Sequence, residues 1–480
     1  MIVAGTALLV ILCDLILGRK GWLTITSLAG ITAALAFAVR DIIAGTSPGS
    51  STLEFPFVAD NFAVFMKFVF LSLAGMIIIA SLDYVKRMKN FHGEYLGLIL
   101  LSVLGMMLLT QSTNLIAIFV SLEMVSIPIY ALTGFLKDRH STESSLKYLL
   151  LSSVNSAVLL FGLALLFGFT GSITLAGVSH VVGGISGNSA WAQPGLVLGL
   201  VLIVAAFGFK IAAVPFNMWA PDVYEGSPTS ITLLLSAGSK LAGFGVLFRI
   251  LTTVFTPPFA LSHGWAGIAA VLAVLGMTLG NVIAIPQTNI KRLLAYSGIA
   301  HSGYMLVAVA AVGFSSGFTP DSAGSLLFYM LAFALAEVLA FTGIMVASDR
   351  ISDSINDYSG LARRSPWLAM ALTIGLISLT GIPPAAGFIA KFYIFSQALN
   401  SGLLWLVIIA VLNTVISAFY YLRIIRLMWL ATPKDDTPVS SSIWPKFVLL
   451  VSSLGVLGMG LFPIWGIKLA EFGARMLLRQ

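Results

Sequence analysis

The chain reads as an all-α polytopic membrane protein with about 14 transmembrane helices, and three observations predict this fold. Of its 480 residues, 58% are hydrophobic and only 9% are charged; a soluble domain carries about 25% charge. Its mean hydropathy is +1.00. Its 45 glycines and 18 prolines suit membrane helices, which tolerate both better than soluble helices do. Together these exclude a soluble enzyme, a nucleic-acid-binding protein and a disordered chain.

The apolar segments run at 2–17, 22–40, 60–82, 95–111, 113–134, 146–170, 195–224, 228–254, 264–283, 292–314, 322–347, 367–398, 401–429 and 445–467. Most approach or exceed the roughly 20 residues needed to cross hydrocarbon. The first lies in MIVAGTALLVILCDLILGRKGW. Its charges follow the apolar stretch and no small-residue cleavage site is evident, so it reads as a span and not as a signal peptide. The seventh and twelfth are long and interrupted by proline. Polar stretches are confined to about 41–59, 171–194 and 349–366, so no linker divides the chain and 1–480 reads as one transmembrane domain.

An even number of spans puts both termini on one side. Of the 26 Lys and Arg, 17 fall in loops or helix ends after odd-numbered spans and six after even-numbered ones; three lie inside spans. Basic residues accumulate on the cytoplasmic side, so both termini are predicted to be non-cytoplasmic. The net charge of +7 is then a topology signal and names no nucleic-acid partner. The single cysteine, Cys13, permits no intrachain disulfide and no Cys-ligated metal or iron–sulfur site. His92, His140, His180, His263 and His301 lie far apart. Without Walker A, HExxH or GxGxxG patterns, this chain is expected to hold no cofactor and no metal itself.

Five ionisable groups sit deep in apolar spans: Glu123, Lys210, Lys240, Glu337 and Lys391, with His301 as a sixth polar candidate. Each charge would cost roughly 2.5–3.5 kcal/mol facing lipid, or on the order of 12–18 kcal/mol for five. That rivals the stability of a typical domain, about 5–15 kcal/mol. These groups must therefore face the bundle interior, water or one another. One reading is a set of static ion pairs that glue helices together. The other is a relay of titratable sites carrying protons. Burial disfavours charge on a lysine and a nearby carboxylate favours it, so a Glu and a Lys of adjustable separation can take up and release a proton.

Both long spans should be broken. The seventh reads FGFKIAAVPFNMWAPDVYEGSPTS, with Pro215 inside it; the twelfth reads TIGLISLTGIPPAAGFIAKFYIF, with Gly381, Pro383 and Pro384. Proline removes a backbone donor and clashes with the preceding turn. Freed backbone groups are tolerated at membrane depth only where they line a protein-buried or hydrated cavity. Lys210 lies five residues before Pro215 and Lys391 seven after Pro384. An offset of five spans makes a five-helix repeat inverted. Residues 95–254 (spans 4–8) and 264–429 (spans 9–13) are the predicted repeats, and paired breaks at matching positions mark the transport site of many transporters. Kinks needed only for packing are the competing reading.

At these residues the chain resembles the antiporter-like membrane subunit N of respiratory complex I, NADH-quinone oxidoreductase. The matching stretches are SLEMVSIPIYAL (121–132), FGFKIAAVPFNMWAPDVYEGSPT (207–229), SAGSKLAGF (236–244), NIKRLLAYSGIAHSGYMLVA (289–308) and LTGIPPAAGFIAKFYIF (379–395), and the resemblance runs from about 60 to 430. It implies that Glu123 pairs with Lys210, that Lys240 is the central carrier, that His301 links two half-channels, and that Lys391 stands towards the exit. Tyr304 is a weaker candidate. Two positions depart from the pattern. Asn217 stands where histidine is common, and Glu337 stands where a neutral residue is expected, so Glu337 is included as a tentative site. The resemblance also implies a multi-pass inner-membrane location and a role in a translocase. Partner subunits would supply NADH, FMN, iron–sulfur clusters and quinone, with other membrane subunits and lipids as neighbours. Alternatives sharing the fold are a subunit of a multi-subunit sodium/proton antiporter, a ferredoxin-dependent or hydrogenase-type assembly, and a subunit whose charges are purely structural.

Overall fold

A computed structural model describes residues 1–16, 21–44, 56–82, 92–185, 193–255, 260–315, 320–348, 350–433, 437–439 and 442–475. Arg19, Lys20, Lys86, Arg87, Lys89, Lys434 and Arg479, which enter the charge count above, lie outside the described residues. Helices α1 (Ile2–Ile16), α2 (Gly21–Ala44), α3 (Asn61–Ala80) and α4 (His92–Gln111) open the chain. Next come α5 (Leu115–Thr133), α6 (Arg139–Thr170), the short α7 (Leu175–Gly183), α8 (Pro194–Lys210), α9 (Trp219–Gly226) and α10 (Thr229–Val254). Then follow α11 (Ala260–Ala284), α12 (Ile290–Phe314), α13 (Pro320–Ala347), α14 (Pro366–Thr380), α15 (Ala386–Asn400), α16 (Leu404–Leu430), α17 (Ile443–Leu461) and α18 (Pro463–Ala474). Among the described residues there is no β-strand. Eleven helices are long and apolar enough to cross a membrane; α1, α8 and α14 are shorter apolar helices.

The two proline-interrupted spans are each two helices. Span seven stops at Lys210 and resumes at Trp219; span twelve stops at Thr380 and resumes at Ala386. Gly381 closes α14 with φ of 84°, a left-handed conformation that suits glycine at a helix end.

Three helices form the centre. Helix α10 is buried along its whole apolar stretch and α12 and α13 along 94% of theirs, against 33% for α2, α6 and α17. Lys240, His301 and Glu337 belong to those three central helices. The sheath shows why a soluble reading fails. On α6 the buried face is Tyr148, Ser152, Asn155, Leu159, Gly162, Leu163 and Leu166, spaced three and four apart. Leu146, Leu150, Val154, Leu160 and Phe161 point outward and are exposed. The outward side of this helix is thus largely apolar, while Ser152 and Asn155 point in. In water each outward leucine or phenylalanine would forgo roughly 1.5–3 kcal/mol of burial; lipid removes that cost. Between α11 and α12, packing is at backbone range: a Cβ on Gly280 would meet the backbone of Ala300 and Tyr296. Small residues at membrane helix contacts serve this close approach.

Arg249, one of the six basic residues counted above in loops or helix ends after even-numbered spans, is fully buried in α10 and forms an ion pair with Asp60 at 2.7 Å. Its guanidinium makes a second bond to Asp60 (2.9 Å), and Nε donates to the Thr110 carbonyl (2.8 Å). Asp60 also caps α3 by accepting from the Ala63 amide. One bidentate pair therefore ties α3, α4 and α10 together.

Candidate functional site

The interior polar groups are met in the order α5, α8, α10, α12, α15. Glu123, half-buried on α5, accepts a short hydrogen bond from Ser156 of α6. One turn on, Ser126 donates to the Leu122 carbonyl and accepts from Lys210 Nζ at 2.9 Å. Lys210 also donates to Tyr148 Oη at 3.3 Å. Glu123 and Lys210 are therefore not in direct contact, as the pairing expected from sequence would have them; Ser126 and Tyr148 stand at the lysine instead. Residues three apart share a helix face, which brings the Glu123 carboxylate and Ser126 to the same side.

Lys210 ends α8, and the break that follows frees backbone groups. Trp219 Nε1 donates to the Phe209 carbonyl (2.9 Å) and Ser302 Oγ to the Ile211 carbonyl (2.6 Å). Ala212 takes a positive φ of 55°, a conformation a non-glycine residue holds only when its surroundings impose it. Ser302 also lies 3.1 Å from the Gly298 carbonyl, which accepts from Lys240 Nζ at 2.7 Å. One hydroxyl thus touches the freed carbonyl beside Lys210 and the carbonyl that holds Lys240. Lys240 leaves a π-helical turn, Leu234–Ser239, a feature frequent at functional sites. Its ammonium lies 5.4 Å from the Phe333 ring centre.

His301 continues the line. Its ring packs 5.0 Å from Phe333, Nδ1 shares a hydrogen bond with Tyr329 Oη (2.7 Å) and Nε2 lies 3.4 Å from Tyr421 Oη. Beyond it is a cavity of about 10 Å³ lined by His301, Tyr329, Phe333, Ser378 and Lys391 among others. That is the least volume in which one water fits. Lys391 Nζ donates to the Thr380 carbonyl at 2.9 Å and sits 4.4 Å above the Tyr304 ring. Sequence reasoning ranked Tyr304 low because an aromatic in a span is usually packing. Nothing in the sequence signalled that its face meets an ammonium.

Glu337 on α13 is fully buried, and neither carboxylate oxygen has a hydrogen-bond partner among the described residues. Lys240 is the opposite charge whose field reaches it. Asn217, in the turn between α8 and α9, is half-buried.

At the end of the molecule where α9, α12 and α13 meet the loops, a cavity of about 710 Å³ opens. Its lining includes His140, Glu143, Lys147, Asp222, Glu225, Lys291, Arg292 and Asp353. Arg292 joins Asp222 (2.7 Å) and Glu225 (2.8 Å), Lys147 joins Asp222 (3.1 Å), and Lys291 joins Asp353 (3.1 Å). Burial works to raise the Asp222 carboxyl, but Arg292 and Lys147 prevail and hold it below its ordinary value.

Interior lysines strung between two broken spans, inside a lipid-facing sheath, define an antiporter-like multi-pass membrane subunit. The family model described as NADH:quinone oxidoreductase/Mrp antiporter, TM matches residues 112–417. The NADH-quinone oxidoreductase subunit N of Dehalococcoides mccartyi is 49% identical over 482 residues, covering 100% of this chain and 98% of that one. A chain of respiratory complex I from Thermus thermophilus with bound aureothin superposes with a TM-score of 0.80 at 29% identity, over 97% of each chain. A chain of the Mrp complex from Dietzia sp. DQ12-45-1b gives a TM-score of 0.85 at 22% identity, over 99% of this chain and 96% of that one, a likeness of fold alone. The chain belongs to the NADH-quinone oxidoreductase subunit N family. It is therefore a membrane subunit of an enzyme complex.

Proposed function

We propose that the chain carries protons across the membrane as a subunit of an NADH-quinone oxidoreductase-type complex, through Glu123, Lys210, Lys240, His301 and Lys391, with Glu337 as a sixth group. The observation that carries this reading is the string of interior polar groups from Glu123 to Lys391, each held by its own polar partner and set beside both helix breaks. Static ion pairs would join these charges directly. Instead Lys240 and Lys391 are held by backbone carbonyls, partners that stabilise an ammonium without fixing it. A proton on Glu123 or Lys210 passes to Lys240, then by way of His301 to Lys391.

Redox chemistry belongs to partner subunits holding NADH, FMN, iron–sulfur clusters and quinone, and the neighbours of this chain are other membrane subunits of the complex and lipid. The complex sits in the inner membrane. The cavity containing Lys147 and Arg292 faces the cytoplasm, both termini face the other side, and 95–254 and 264–429 form inverted repeats around breaks at Pro215 and at Pro383 and Pro384. Against 100 mV each proton costs about 2.3 kcal/mol. A swing of two pKa units supplies about 2.7 kcal/mol, so a modest rearrangement around one lysine is sufficient.

The test is Lys240→Ala in the whole complex, reconstituted into liposomes, with proton uptake and quinone reduction measured in one sample. Proton uptake per electron should fall while quinone reduction partly persists. Unchanged uptake would leave these charges a structural role only. The likeness to the Mrp chain supports a second reading, an antiporter subunit without redox partners. Mass spectrometry of the purified assembly separates the two, since flavin and iron–sulfur subunits are expected only in the first.

A further inference from the structure

Glu337 is a fully buried interior carboxylate, and its surroundings give it a task. Three polar groups in this region are buried and have no hydrogen-bond partner among the described residues: the Glu337 carboxylate, Tyr224 Oη and Ser239 Oγ. An unpartnered buried carboxylate or hydroxyl is expensive, and native interiors satisfy such groups with water. Here they come from three elements. Tyr224 belongs to α9, Ser239 to the π-helical turn before Lys240, and Glu337 to α13.

Their order follows from one face of α13. Phe333, Glu337 and Phe341 are four residues apart and stack along it, about 6 Å per step. Lys240 lies over Phe333 at 5.4 Å, and the Tyr224 ring meets Phe341 edge-on at 6.4 Å. Glu337 therefore lies between Tyr224 and Lys240. Just past the end of α13 comes Ser348, which lines the 710 Å³ cavity, as do Glu225 and Gly226 directly after Tyr224. Ser236, in the same π-helical turn, lies beside Glu337 and turns its hydroxyl to the Leu233 carbonyl.

We propose that Glu337 is a second proton inlet, passing protons from the charged cavity by way of Tyr224 and water directly to Lys240, in parallel with the Glu123–Lys210 route. This inference rests on proton transport through Lys240. The Glu337 carboxylate accepts a proton from water, leaving hydroxide that is neutralised from the cavity. The carboxylic acid then gives that proton to the neutral Lys240 amine, forming an ammonium and restoring the carboxylate. No redox step is involved.

The test uses the whole complex in liposomes and reads the share of proton uptake per electron that Lys240→Ala removes. Lys210→Ala alone should leave part of that share. Adding Glu337→Gln should then lower the remainder by roughly 10²-fold, the low end of what a positioned acid–base group contributes. Glu337→Asp in the same background should retain most of it. If Glu337→Gln impairs assembly, Tyr224→Phe carries the test, since it removes only a hydroxyl that bonds nothing among the described residues, and it should slow the same remainder. Turnover-dependent infrared difference spectra should show a carboxyl band that is absent in Glu337→Gln. The inlet is overturned if Lys210→Ala abolishes the entire share, or if neither Glu337→Gln nor Tyr224→Phe changes the remainder. Should Lys240→Ala itself remove nothing, the failure lies with proton transport through this chain.

Discussion

Lys391 reaches back across the break in its own span and donates to the carbonyl of Thr380, the last residue of the preceding half-helix, at 2.9 Å. The end of α14 concentrates partial negative charge on unpaired carbonyls, and an ammonium is the group best suited to sit there. The same lysine therefore closes a helix and holds a proton. Lys391→Ala should strip the Thr380 carbonyl of its partner at a cost of about 1–3 kcal/mol. It should lower the thermal midpoint of the purified complex and abolish the uptake assigned to this subunit. An unchanged midpoint would mean that α14 is closed by something else.

Tyr304 contributes its ring face to the same lysine, at 4.4 Å, a contact worth up to about 2 kcal/mol when desolvated. Its hydroxyl accepts from Thr414 at 3.2 Å. Tyr304→Phe should therefore preserve proton uptake per electron, whereas Tyr304→Leu should reduce it. Equal loss in both would assign the role to the hydroxyl.

Arg249 and Asp60 are a buried pair whose separation leaves a bare charge. Arg249→Met should destabilise the subunit by about 3–5 kcal/mol, seen as reduced assembly. Arg249→Lys should rescue little of this, since lysine cannot reproduce the two-pronged contact with Asp60 together with the bond to Thr110. Full assembly of Arg249→Met would show the pair to be dispensable.

Asp222 gives a pH prediction. Because its carboxyl is held below its ordinary value in the folded protein, its stabilising contribution is present above the unfolded value, about 3.9. That contribution is lost only as pH falls through the lower folded value. Asp222→Asn should lower the thermal midpoint at neutral pH, and the difference should persist to about pH 4 before shrinking. A difference that vanished well above that value would contradict the pairing with Arg292 and Lys147.

The spans and both breaks were legible because lipid demands long apolar runs and proline cannot be hidden in one. Glu123, Lys210, Lys240, Glu337 and Lys391 were visible for the same reason, as charges with no business in hydrocarbon. What the sequence could not show is who meets whom. Arg249 entered the sequence reading only as a helix-end charge that marks topology, yet it is half of a buried pair whose partner, Asp60, is 189 positions away. Ser126 and Ser302 were invisible because a serine in a membrane helix usually bonds its own backbone. Here Ser302 also reaches the Ile211 carbonyl, which is free only because of a proline four residues later.

The small cavity between His301 and Lys391 has an electrical consequence. A voltage divides itself in proportion to resistance, and it falls most steeply where the path is narrowest and driest. The wide charged cavity on one side conducts ions readily and carries little of the drop. A compartment of about 10 Å³ carries much more. The single hop past His301 should then account for most of the charge displacement that an electrode on the membrane would register, although it is one of the shortest movements in the molecule.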